Sequence, residues 1–191
     1  MAEAAKLTAL VPVADGSEEI ETVCIVDTFV RAGITVTLAS VSGQTTVKCS
    51  RGVMLNADTL IADCEAKEYD CIAVPGGMPG AKTIGEHEAF IAMLKKHKEA
   101  GKVYGAICAA PAVVLMPHGL LGEGSATSHP AFADKMKETI AERYSEERVI
   151  VDGKVVTSRG PGTAIEFALT LITLLAGAEK AEAVKGPMLV K

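Results

Sequence analysis

Five cysteines, four histidines and an acidic run near residue 20 are the residues of this chain able to do nucleophilic or acid–base chemistry. Cys108 stands out among them. It sits in Lys102-Val103-Tyr104-Gly105-Ala106-Ile107-Cys108-Ala109-Ala110-Pro111. The short apolar run before it predicts a buried strand, and residues 109–115 predict a helix, so Cys108 falls at the junction. A sharp strand-to-helix turn pushes its central side chain into the open, the nucleophile-elbow geometry that hydrolases use with serine. The following helix would aim its positive end and free N–H groups at the sulfur. A helix N-terminus lowers a thiol pKa, and the thiolate is the reactive form. Cys108 is therefore expected to be the most acidic and most reactive of the five thiols. The alternative is a small buried core residue, the usual fate of a free cysteine.

Two further features belong with Cys108 if the fold brings strand ends together. Pro75-Gly76-Gly77 ends a predicted strand. Glycines there let backbone approach a ligand, and a Gly77 N–H paired with the Ala109 amide would make an oxyanion hole. Alone, the motif reads as a plain turn. Glu21 lies in the first turns of a predicted helix. A carboxyl near a thiolate must repel it or be protonated and donate to it, and the protonated form would also serve as a general acid. Glu18 and Glu19 read as complements of the helix dipole. Among the histidines, His87 and His97 are expected to be solvated near or on a charged helix, and His118 reads as a helix C-terminal residue. His129, in a loop before a helix, is the candidate base. Gly160-Pro161-Gly162-Thr163 opens a helix and fits either an anion site or ordinary helix-start chemistry.

The elements that must position these residues follow from pattern and punctuation. Strands are predicted at 6–14, 34–41, 69–74 and 102–107. Two short ones at 45–48 and 52–55 suggest a hairpin or edge excursion. Helices are predicted from residue 17 to 32, stopped by Gly33, and over 88–100, 109–115, 130–143, 163–176 and 179–184. Strands 149–152 and 155–158 flank Asp152-Gly153, a type I′ hairpin signal. Alternating strands and helices predict one α/β domain over residues 1–191: a three-layer sandwich with a mainly parallel central sheet. Such sheets place sites beyond the carboxyl ends of their strands, here the loops after Val13, Val74 and Ile107.

Composition narrows the function classes. The chain has 191 residues, 49% hydrophobic with 4% aromatic, and a net charge of −5 without basic blocks. Nucleic-acid partners are not expected. No apolar stretch is long enough to span a bilayer, and residues 1–6 lack the pattern of a secretory leader, so no membrane association and a cytoplasmic, intracellular setting are expected. The cysteines lack metal-ligand spacing, and neither a Walker motif nor GxGxxG occurs; no metal and no cofactor are expected.

Four motifs in order carry a resemblance covering about residues 7–190. They are Ala14-Asp15-Gly16-Ser17-Glu18-Glu19-Ile20-Glu21-Thr22, Val74-Pro75-Gly76-Gly77, Ala106-Ile107-Cys108-Ala109-Ala110-Pro111, and Thr157-Ser158-Arg159-Gly160-Pro161-Gly162-Thr163. Together they resemble the ThiJ/PfpI superfamily, and within it the parkinsonism-associated protein deglycase subgroup, which Cys49-Ser50-Arg51 also matches. The resemblance implies a flavodoxin-like sandwich forming homodimers. It also implies Cys108 as nucleophile and oxidisable residue, Glu21 as its protonated partner, Gly77 and Ala109 as amide donors, and His129 near the sulfur. It implies glutathione-independent glyoxalase or deglycase activity on small reactive carbonyls or glycated proteins, with an oxidative-stress role. The rival implication is a non-catalytic redox sensor or chaperone using the same cysteine. Ala109 stands where protease-like members carry histidine, no His-x-Glu follows Cys108 as in glutamine amidotransferases, and Asn56 stands where some relatives have a second cysteine.

Overall fold

The structure, a computed structural model, describes residues 6–191. The leader reading rests mostly on residues 1–5 and lies outside the described residues. Strands β1 (Thr8–Val13), β2 (Thr35–Ser40), β5 (Thr59–Leu60), β6 (Cys71–Val74), β7 (Val103–Ile107), β8 (Val149–Asp152) and β9 (Val155–Ser158) form one sheet. Its order is β5-β2-β1-β6-β7-β9-β8. Every pairing is parallel except the β8–β9 hairpin. A second, two-stranded hairpin joins β3 (Thr46–Lys48) to β4 (Met54–Asn56). The three-layer α/β sandwich is as the sequence predicts.

The period of two along each strand sorts the core. Leu10, Ile72, Val74, Tyr104 and Ala106 face one side, packing with Ile84 of α2 (Gly80–Glu86) and Phe90 and Leu94 of α3 (Glu88–Glu99). Ala9, Val11, Cys71, Ala73 and Val156 face the other. There they meet Ile25 and Phe29 of α1 (Glu19–Arg31) and Phe167 and Leu171 of α5 (Ala164–Ala176). Side chains that alternate across a pleated strand can feed two cores at once. Gly105 is what lets α5 close on the sheet: a Cβ there would lie 2.7 Å from Val156 O and 2.9 Å from Phe167 Cε2. Helix α4 (Ala133–Ile140) is flanked by 3₁₀ turns, and α6 (Ala178–Lys185) packs on α5.

Several local expectations are corrected. Helix α2 and strand β5 were not legible, since a seven-residue helix with glycine at both ends has little intrinsic propensity. The helix expected over 109–115 is instead a turn leading into one π-helical turn, Pro111–Leu115, then a 3₁₀ turn, Met116–His118. Pro117 has no N–H to offer Val113 O, so the α ladder cannot continue. The freed Val113 carbonyl meets Gly85, where a Cβ would lie 2.5 Å away. In the β8–β9 hairpin Asp152 pairs with Val155, so the turn residues are Gly153 and Lys154. Of these only Gly153 has positive φ, +61°, which makes the turn type II′ rather than I′. The Asp152 carboxylate instead accepts the Gly124 N–H at 2.7 Å. His97 is buried, not solvated; its Nε2 bonds Val103 O at 2.8 Å, and burial first of all pushes its pKa down. His87 caps α3 by accepting the Phe90 N–H.

Candidate active site

The carboxyl ends of β1, β6, β7 and β9 lie side by side, and the loops leaving them build one site. Cys108 follows β7 directly and has φ +66°, left-handed backbone that costs a non-glycine residue roughly 1–2 kcal/mol. Its neighbours fix it there. The Cys108 N–H donates to Ser158 O at the end of β9, at 2.9 Å, and Cys108 O accepts the His129 N–H at 2.8 Å. Such strain persists only where the surroundings over-determine it. The elbow expected from sequence is present, and the side chain is nine-tenths buried.

Glu21 reaches Cys108 from α1. Glu18 is the N-cap of that helix: its carboxylate accepts the Glu21 N–H at 2.7 Å, and its own N–H donates to Gly76 O at 3.0 Å. These bonds set the first turn of α1 against the loop after β6. Glu21 is fully buried, and its Oε2 accepts the Gly76 N–H at 2.8 Å. Oε1 is buried without a hydrogen bond of good geometry, yet the thiol is near enough for each group to shift the other. Gly76 is wedged between the two: a Cβ there would lie 2.6 Å from Cys108 Cβ and 2.9 Å from Glu21 Oε2. Gly77 has φ +85° and packs so closely on residues 16–18 that a Cβ would lie 2.3 Å from the Glu18 amide nitrogen.

The electrostatics follow from burial. Burial pushes Glu21 up to about 7, with the charge of Glu18 adding to the rise and the bonds from Gly76 and Cys108 opposing it. Burial also pushes the Cys108 thiol up, to about 12, helped by the charge of Glu21. The amides of Gly77 and Ala109 lie against the sulfur and pull the other way. This corrects the expected acidity of Cys108, because the turn that presents the thiol also takes it out of water. The two groups are coupled, since the charge of one opposes that of the other; with one proton between them it sits on the thiol or on the carboxyl, and thiolate beside carboxylic acid is one of the two arrangements.

The structure thus brings Cys108, Glu21, Gly77 and Ala109 together. His129 joins them through its backbone, but its ring is placed differently from the expected base. Its Nδ1 accepts the Ala131 N–H at 3.2 Å, which leaves Nε2 protonated in the neutral ring, a donor. Gly160-Pro161-Gly162-Thr163 is a helix start: Thr163 Oγ1 accepts the Gly160 N–H and lies 2.6 Å from Ser158 Oγ. Three site-building residues escaped the sequence reading. Gly76 reads in the sequence as one half of a glycine pair, with nothing to single it out from Gly77. Ser158 contributes a main-chain carbonyl, which no side-chain pattern signals. Glu19 holds the β3–β4 hairpin in place, accepting from Ser50 Oγ at 2.9 Å and Arg51 N at 2.8 Å. Burial opposes its charge, but those bonds and its own backbone amide hold its pKa below the usual value.

Among the described residues no cluster of three or more His, Cys, Asp or Glu is placed to hold a metal ion, and no helix is long and apolar enough to cross a membrane. The model of the DJ-1/PfpI family matches residues 7–174. The chain is 45% identical over 184 residues to "Parkinson disease protein 7 homolog" of Danio rerio, covering 96% of this chain and 97% of that one. It is 37% identical over 174 residues to "Glutathione-independent glyoxalase DJR-1.2" of Caenorhabditis elegans, covering 91% of each. It spans 38% and 47% of the length of the two Arabidopsis thaliana relatives, the DJ-1 homologs B and A. The solved structure "Toxoplasma gondii DJ-1, oxidized" superposes with a TM-score of 0.91 at 50% identity, covering 96% of this chain and 98% of that one. With its fold, its elbow cysteine and these likenesses, the chain belongs to the DJ-1/PfpI family.

Proposed function

We propose that this protein is a cofactor-independent glyoxalase and deglycase whose nucleophile is Cys108. The observation that carries the reading is the buried Cys108–Glu21 pair facing the amides of Gly77 and Ala109. The name of the C. elegans relative supports a glyoxalase.

In the reactive arrangement Cys108 is the thiolate and Glu21 the acid. The sulfur adds to the aldehyde carbon of methylglyoxal, and the carbonyl oxygen becomes an oxyanion held by the two amides. Glu21 donates its proton, giving a hemithioacetal. The carboxylate so formed then takes the hydrogen from C1 and returns it to C2 through an enediol, leaving C1 oxidised, C2 reduced and a lactoyl thioester on the sulfur. Water cleaves the thioester to lactate and frees the thiol. One water is consumed, and no outside oxidant or reductant is needed. The same addition to a glycated side chain would return the free amine. His129 acts on the site through its main-chain N–H, which holds Cys108 O and with it the elbow.

Highly purified protein should convert methylglyoxal to lactate, and Cys108→Ser should fall to background. Unchanged turnover in Cys108→Ser sinks the reading. Absence of turnover in the wild type favours the sensor alternative, in which oxidised Cys108 is held by the same amides.

The protein is also proposed to form a homodimer through the outer face of α1 and the adjoining hairpin. Ile20, Val23 and Val30 are 53%, 48% and 57% exposed, and Val53 and Met54 are open on the hairpin. Ile25 of the same helix points the other way and is fully buried in the core. Sedimentation at micromolar concentration should give a dimer for wild type and a monomer for Val23→Asp/Val30→Asp. A monomeric wild type refutes the dimer.

A further inference from the structure

Glutamate is an uncommon residue to open a helix, where serine, threonine, aspartate and asparagine are preferred. Glu18 opens α1 all the same, and does so while only 8% exposed. Three bonds hold it there. Its carboxylate accepts the Glu21 N–H at 2.7 Å, and its own N–H donates to Gly76 O at 3.0 Å. The Gly76 N–H in turn donates to Glu21 Oε2 at 2.8 Å. Glu18, Glu21 and Gly76 thus close a ring in which the first turn of α1 takes both the N–H and the carbonyl of Gly76. Serine would cap the helix as well. What serine would not bring is a second carboxylate beside Glu21.

The other titratable groups around Glu21 are few. Cys108 faces it from the elbow after β7, and Cys24, about one turn further along α1, feels the charges of both Glu18 and Glu21. The strands and helix packed on α1 bring apolar Val11 of β1, Leu38 of β2 and Phe167 of α5. Glu19 turns to Ser50 and Arg51 of the hairpin. Among the described residues no Lys or Arg pairs with Glu18 or Glu21. Nothing cationic therefore relieves the repulsion between two buried carboxylates.

We propose that Glu18 is a positioning residue of the Cys108 site: the ring holds the Glu21 carboxyl at the thiol, and the charge of Glu18 disfavours a second charge on Glu21. The proposal rests on the reading of Glu21 as the acid partner of Cys108. It gives a part in the chemistry to a glutamate whose sequence position suggests only a complement to the helix dipole.

Substitutions at Glu18 separate positioning from capping. Glu18→Gln and Glu18→Ser keep an oxygen for the Glu21 N–H and lose the charge. Glu18→Asp keeps both. A residue that only caps the helix would leave the titration of Glu21 alike in all three. Positioning predicts that the Glu21 carboxyl, followed by its isotope-labelled NMR resonance and assigned by its loss in Glu21→Gln, titrates lower in Glu18→Gln and Glu18→Ser by about 0.5 pH unit or more. In Glu18→Asp it should return to the wild-type midpoint. The rising limb of kcat/KM for methylglyoxal should move in the same direction. A Glu21 titration unmoved in both Glu18→Gln and Glu18→Ser, or moved as far by Glu18→Asp, overturns the proposal. Protein in which the Glu21 titration responds as expected but methylglyoxal is not turned over by the wild type overturns the enzymatic reading and retains the role of Glu18 toward Glu21.

Discussion

Gly76→Ala is expected to lower methylglyoxal turnover by about 100-fold or more while the sheet and both cores stay folded. The backbone at residue 76 is not in the left-handed region, so alanine meets no conformational penalty there. What it meets is contact. The new methyl would sit 2.6 Å from Cys108 Cβ, 2.9 Å from Glu21 Oε2 and 2.9 Å from Ile107 O. Neither the pinned elbow nor the capped first turn of α1 can retreat freely, so the thiol and carboxyl are wedged apart. Displacing reacting groups by about 1 Å costs on the order of 100-fold. The check is kcat/KM beside far-UV circular dichroism. Native-like spectra with near-wild-type kinetics would show that the thiol–carboxyl distance does not matter. Gly77→Ala is a poorer test, since positive φ and the clash with Glu18 would confound folding with function.

Glu21→Gln should act on rate and stability in opposite directions. Turnover should fall about 10-fold or more, as for loss of a general acid–base group, because the amide can donate to sulfur but cannot shuttle a proton. The pH profile should change with it. The active arrangement is the pair after its first proton is lost, so wild-type kcat/KM should rise with pH through about 7. In the variant the thiol alone must supply that proton, and the rise should move to higher pH. Stability should respond the other way. The folded-state pKa of Glu21 is raised, so its contribution is intact below the ordinary value near 4.5 and is lost as pH climbs through about 7. A shift of that size is worth about 3 kcal/mol at high pH. Glutamine carries no such liability. Glu21→Gln should therefore melt several degrees above wild type at pH 9 and match it at pH 4. Equal melting curves at both pH values would mean that Glu21 is not held neutral by burial, and unchanged turnover would reduce it to a thiol-tuning residue.

Much of this architecture was legible in the sequence because its signals are local. Gly33 stops α1, alternating β-branched residues mark β2, a short apolar run marks β7, and the elbow at Cys108 follows from that run meeting a helix start. What escaped depends on contacts between segments far apart in the chain. Helix α2 exists because Gly80 and Gly85 nestle against residues 16–17 and Val113, not because its residues favour helix. The turn type at Gly153 is fixed by register with β9. The acidity of Cys108 is the clearest case. Its place before a helix argues for a low pKa, and only the three-dimensional burial of the thiol beside Glu21 reverses the sign. His129 is similar: a loop histidine looks free until Ala131 claims its Nδ1.

The backbone of Cys108 is a rung of the sheet as well as the corner of the elbow, because its N–H extends the β7–β9 ladder to Ser158. The thiol therefore has no hinge of its own. Freeing it means parting two interior strands, an opening whose free energy approaches that of unfolding the whole sheet. Adjustment to different visitors falls to the loops that carry Met78 and His129, whose side chains stand at the rim. The molecule is in this respect an anvil with movable jaws: the struck surface stays still, and selectivity resides in what closes around it.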